Sequence, residues 1–283
     1  MQNDLFSADE YQQVFSGSLH KMSVRPDSNS IDYSIGDLKI NDLIGRDLKL
    51  EFNGKINCIG CGADTNKSFA QGFCYRCFTT KAACDVCIMS PEKCHFDQNT
   101  CREPSWGETF CNQSHYVYLA NSSGIKVGIT RGTQIPTRWI DQGAAQALPI
   151  YRVLNRHMSG LVEVMLKQHV TDKTNWRTML KGEPELLDLT VIRDRMFEEV
   201  KPEVSELQHR YGLNSIQPLY HAEQFDFKYP VTEYPSKVSS FNFDKEPTVS
   251  GKLQGIKGQY LIFDTGVINI RRFTGYQVSI SVN

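Results

Sequence analysis

A chain of 283 residues with a net charge of −1 is long enough for one large domain or two to three small ones, and its global charge names no partner. The composition is that of an ordinary globular protein, and no apolar run reaches membrane-spanning length, so no membrane partner is expected. The opening residues carry no signal-peptide pattern, which makes a reducing, cytoplasmic setting the expected one.

Residues 1–57 begin with a polar stretch and then alternate like a strand at Leu48, Leu50 and Phe52. Asn53-Gly54 reads as a turn, and Ile56 leads into the first cysteine pair. All nine cysteines fall between Cys58 and Cys111, which marks residues 58–114 as a cysteine-rich insert. The first four, Cys58-x2-Cys61-x12-Cys74-x2-Cys77, are two chelating pairs at zinc-ribbon spacing. Each pair puts two thiolates on one tight turn, and two facing turns make the tetrahedral sulfur cage that Zn2+ prefers. Gly60 and Gly62 flank Cys61 and supply residues that tolerate positive φ under the metal. Two disulfides are the rival reading, which a reducing setting disfavours.

Cys84 and Cys87 repeat the pair and imply a second zinc. Its other ligands come from Cys94, His95, Cys101, Cys111 and His115, and spacing alone does not choose among them. The short loops around Cys94 and Cys101 favour those two. A redox switch built on a cysteine pair outside a metal site is the alternative. So short and polar a stretch has little core of its own. Metal binding, worth about 10–16 kcal/mol in small zinc modules, would supply most of what folds it.

Residues 115–212 read as α/β. Tyr116–Leu119 and Ile125–Ile129 are strands around a turn at residues 121–124, and a short helix over residues 136–142 stops at Gly143. A helix over residues 159–170 carries Val162, Met165 and Leu166 at helical spacing. A longer one starts near Pro184, points Leu186, Ile192, Met196 and Val200 inward, and ends or kinks at Pro202. Residues 213–283 return to β, in runs such as 259–263 and 266–270, and are expected to recruit the N-terminal strands into a small barrel or sandwich. The fold class is therefore α+β, with a zinc-ribbon module between β-rich ends and an α/β core. From His115 to Gly182, nine Lys and Arg stand against three acids, a formal +6 that leaves −7 elsewhere, and this points to a phosphate-rich partner.

The central segment has a recognisable order, Tyr116-Val117-Tyr118, Lys126-Val127-Gly128, Arg138 and then Glu163. It resembles the GIY-YIG nuclease domain, in the branch whose second motif begins with Lys. The resemblance covers about 65 residues. It implies that Tyr118 helps activate water, Arg138 steadies the scissile phosphate, and Glu163 holds Mg2+ or Mn2+. Lys126 stands where the second tyrosine of the family would be, and a lysine is no obvious substitute for a phenol in proton transfer. Each of these residues also has a structural reading: Tyr116 and Tyr118 as sheet packing, Glu163 as an i,i+4 partner of Lys167, and Trp139 as a helix anchor. The pairings Arg138-Trp139 and Trp176-Arg177 suit base stacking and phosphate contact. Tyr116, Arg131, Trp139, Lys167, Asn175, Trp176 and Arg177 are the expected nucleic-acid contacts. Over most of its length the chain also resembles an uncharacterised bacterial family, domain of unknown function 2797. Cys58-Ile59-Gly60-Cys61-Gly62, Gly72-Phe73-Cys74-Tyr75-Arg76-Cys77, Lys126-Val127-Gly128-Ile129-Thr130-Arg131 and Asp141-Gln142-Gly143-Ala144 carry that likeness.

The expected function is DNA or RNA binding by zinc ribbons on a GIY-YIG-like core, with Mg-dependent phosphodiester cleavage as the activity it would carry. The alternatives are a non-catalytic, zinc-dependent adaptor that docks a protein partner, and a thiol redox sensor.

Overall fold

Strand-forming sequence at the two ends of the chain meets in one antiparallel sheet. In the computed structural model, which describes residues 11–27, 30–170 and 175–283, Gln12–Ser18 pairs with Tyr276–Val282. The order continues through Asp47–Asn57, Thr248–Lys257, Tyr260–Phe263 and Gly266–Asn269. Alternation sets the faces: Leu48 and Leu50 are buried, while Lys49 and Glu51 pair at 2.8 Å on the outer side. Phe52, Tyr276, Phe273 and Phe243 form a run of tilted and edge-to-face rings, with neighbouring centroids 4.8–5.2 Å apart. The expected turn at Asn53-Gly54 does not form. The strand runs on to Asn57, and the three residues between Phe52 and Ile56 oppose only Gln277 between Val278 and Tyr276, so the Asn-Gly pair lies in a bulge.

The chain divides into two compact units, the described residues up to 75 with 229–283, and residues 76–228. The opening polar stretch, residues 1–10, and Asp172, Lys173 and Thr174 of the basic segment lie outside the described residues.

The second unit is built on another antiparallel sheet, in the order Ile216–Pro218, Gln146–Val153, His115–Asn121 and Ile125–Arg131. Val117 and Leu119 point to one face, against Leu148, Ile150, Met158, Val162 and Met196. Tyr118 and Ala120 point to the other, against Trp139, Ala144 and Ala147. Helices run over Thr137–Asp141, Arg156–Lys167, Leu189–Glu199 and Lys201–Tyr211. The helix expected near Pro184 starts at Leu189, because the Asp188 carboxylate accepts from the N–H groups of Thr190 and Val191 and caps it there. Leu186 is consequently exposed, not inward. Pro202 sits in the first turn of a new helix, where its missing N–H costs nothing.

Residues 82–111 are different in kind. They fold as 3-10 turns and helices of four and seven residues, Val86–Met89 and Pro104–Phe110, with no strand.

Candidate functional site

The first cysteine group forms where the strand Asp47–Asn57 ends. The Gly62 N–H donates to the Cys58 carbonyl at 2.7 Å, and Gly62 takes φ +73°, which closes the first turn. Gly60, expected to share that role, is not in the left-handed region; its N–H donates to Cys58 Sγ at 3.4 Å. The Cys74 N–H reaches the same sulfur at 3.2 Å, and Cys61 Sγ lies 3.8 Å from Cys74 Sγ. Cys77 follows in the helix Tyr75–Thr80, and all four sulfurs lie within 4.8 Å of one another. Burial pushes the Cys58 thiol up, but the N–H groups of Cys74, Gly60 and Cys61 outweigh it and bring it down to about 6. A thiolate near neutral pH among four convergent sulfurs is a donor set that could hold zinc.

A second group joins Asp85, Cys87 and His95, whose ligand atoms also lie within 4.8 Å of one another. Neither Cys84 nor His115 belongs to either group among the described residues. His115 is buried, with Nδ1 2.7 Å from the Gln113 carbonyl.

The remaining expected residues sit around the hairpin of the second unit. Tyr118 lies opposite Gly128, and a Cβ on Gly128 would stand 2.6 Å from the Tyr118 hydroxyl. Glycine at this point of Lys126-Val127-Gly128 is what lets the tyrosine cross its neighbouring strand. The hydroxyl donates to Gln142 Oε1 at 3.0 Å, and Arg138 hydrogen-bonds it in turn. Burial pushes the phenol up, against the lowering pull of Arg138, so it is a neutral donor at neutral pH. Glu163 is within electrostatic reach of both Tyr118 and Arg156. Its side chain is 13% exposed and takes Lys167 Nζ at 3.3 Å. Arg156, half-buried at the start of the same helix, is in electrostatic reach of Arg138 and Glu163. Tyr118, Arg138 and Glu163, far apart in sequence, are thus brought together, with Gln142 and Arg156 added. Arg156 had a sequence signal, since a basic residue in the first turn of a helix opposes the helix dipole and needs a partner elsewhere. Gln142 had none.

The expected contact residues are less uniform. Lys126 and Tyr116 are half-buried on the hairpin, and Arg131 stacks on Phe110 with its guanidinium 4.8 Å from the ring centroid. Trp139 is wholly buried against Tyr118, Phe225 and Phe227, so it anchors its helix and presents no face to a base. Asn175 caps the short helix Trp176–Met179 through the Arg177 N–H at 3.0 Å. Exposed Arg177 lies over the Trp176 ring at 4.5 Å. Glu163 belongs to no group of three or more potential metal ligands among the described residues.

The sequence profile of a protein family of unknown function, DUF2797, matches residues 45–278. The chain belongs to the DUF2797 family. The DUF2797 match spans both cysteine groups and the whole Tyr118–Glu163 constellation, and leaves out the strand Gln12–Ser18. No curated protein and no solved structure matches. No helix among the described residues is long and apolar enough to cross a membrane.

Proposed function

We propose that this DUF2797 protein binds nucleic acid across its basic core and acts there as a metal-dependent phosphodiesterase. The observation that carries the reading is the electrostatic reach that links Tyr118, Arg138, Arg156 and Glu163, with Tyr118 seated over Gly128. The strand order Ile125–Arg131, His115–Asn121, Gln146–Val153, with the hairpin first and the third strand on its far side, supports the GIY-YIG likeness. In this reading Arg138 offers its planar fork to phosphate oxygens, and Lys126 adds a point charge. Tyr118, held neutral, gives its one O–H to Gln142 Oε1 and so orients that amide instead of taking a proton. Glu163, with Lys167 beside it, is the residue that would hold Mg2+ or Mn2+, and such an ion supplies a Lewis acid for the phosphate. The four-sulfur group is the zinc-dependent part that shapes the adjoining chain.

Labelled single-stranded, duplex and branched DNA and tRNA test the binding half. At least one should bind at physiological salt, with affinity falling steeply as salt rises. Arg138→Ala should weaken it by about tenfold, the loss of a charge-assisted phosphate contact. Absence of binding to all four would end the reading.

A further inference from the structure

The second cysteine group holds more sulfur than its tightest trio shows. Cys87, Cys94, Cys101 and Cys111 all line one cavity of about 10 Å3, room for a single water-sized body. The Cys87 and Cys94 thiols share a hydrogen bond, and Cys111 is in electrostatic reach of Cys94 and Cys101. Cys101 Sγ is packed so closely against Gly107 that a Cβ there would meet it at 3.2 Å. Cys84 does not line this cavity.

Asp85 and His95 line it too, and each has partners in the protein. Asp85 Oδ2 takes Arg102 Nε at 2.8 Å and His95 Nε2 at 3.5 Å, while His95 Nδ1 meets Thr100 Oγ1 at 2.8 Å. That network holds the loop which carries Cys94 and Cys101. Arg156 is tied to the Cys111 backbone. Its backbone N–H donates to the Cys111 carbonyl at 2.9 Å and its Nη2 to the Ile88 carbonyl at 2.7 Å. The buried Nε has no hydrogen-bond partner, and Cys111 and Cys87 are the first groups that favour its charge. A metal with four thiolates carries a net −2, and a buried guanidinium is a fitting counter-charge.

We infer that Cys87, Cys94, Cys101 and Cys111 bind one thiophilic metal ion, zinc by preference, with Arg156 as its charge partner and Asp85, His95 and Arg102 as the outer hydrogen-bonded frame. The inference is independent of nuclease activity. It also accounts for how residues 82–111 stay folded without a strand or a long helix: the metal takes the place of a core.

Metal content of the full reduced chain tests it. Wild type should carry two zinc equivalents, Cys111→Ser and Cys101→Ser one, and Cys84→Ser and His95→Gln two. Cobalt loaded into Cys74→Ser, whose first group is broken, should give the strong thiolate charge-transfer and tetrahedral bands of a four-sulfur site. This spectrum serves even if the Cys111 variant fails to fold. Arg156→Met should lose metal to a chelator at about tenfold lower concentration, as outer partners of metal ligands do. A single equivalent in wild type, retention of two in Cys111→Ser, loss of one in His95→Gln or Cys84→Ser, or a cobalt spectrum with a nitrogen or oxygen ligand would overturn the assignment.

Discussion

Tyr118 shows how one residue depends on its neighbour across a hairpin. Its hydroxyl occupies the space that any side chain at position 128 would need, 2.6 Å from where a Cβ would fall. Gly128→Ala should therefore destabilise the protein by about 1–3 kcal/mol, the usual range for overpacking, read as a lower denaturant midpoint at unchanged m. His115 supplies a pH-dependent case. Burial lowers its imidazole from an ordinary 6.5 to about 4, against the raising effect of the Gln113 carbonyl. Between those values the unfolded chain binds a proton that the folded chain does not. Stability contributed by the neutral ring is then complete above about 6.5 and declines as pH falls toward 4, on the order of 1 kcal/mol per unit. A pH series of denaturant midpoints should show this slope in wild type and a shallower one in His115→Gln; equal slopes would mean the ring is not held neutral. At this scale the types and order of Tyr118, Arg138 and Glu163 were legible, because spaced motifs survive in sequence. Trp139 was not, since one tryptophan beside an arginine reads equally as a stacking surface or an anchor, and only its burial decides.

Elements were legible where periodicity was clean. The hairpin His115–Asn121 and Ile125–Arg131 and the helix Arg156–Lys167 follow their patterns to within a few residues. The strand Gln146–Val153 is not legible in the sequence, because Pro149 and an almost unbroken apolar run hide its period. The proline is tolerated at the register shift where Val117–Tyr118 passes Tyr151–Pro149. The helix Arg156–Lys167 also shows what sequence conceals about packing. Gly160, in mid-helix, is a poor helix former, yet a Cβ there would lie 2.3 Å from the Glu92 backbone nitrogen and 2.7 Å from Pro91 Cβ. Gly160→Ala gains about 1 kcal/mol of helix propensity and loses more to that contact, since backbone cannot move aside as a long side chain can. The variant should be less stable than wild type, and hydrogen exchange should quicken first around residues 91–94. A gain in stability would contradict the packing.

For the whole molecule, α+β, a cysteine-rich insert and β-forming ends expected to join were legible, while the particular register of Gln12–Ser18 on Tyr276–Val282 is one that no local pattern encodes. Metal is expected to matter at this scale. Cys74→Ser should lose one zinc and lower the thermal midpoint, whereas Glu163→Gln should keep wild-type metal content and midpoint. Full zinc in Cys74→Ser would refute the four-sulfur assignment. That contrast makes Glu163→Gln a clean probe of the core, and the most direct measurement is a cleavage panel on DNA and RNA with Mg2+, Mn2+ or neither. Products that require the divalent ion and vanish in folded, zinc-replete Glu163→Gln are the result predicted here. Wild type that binds nucleic acid yet yields no product with either ion would contradict the phosphodiesterase assignment.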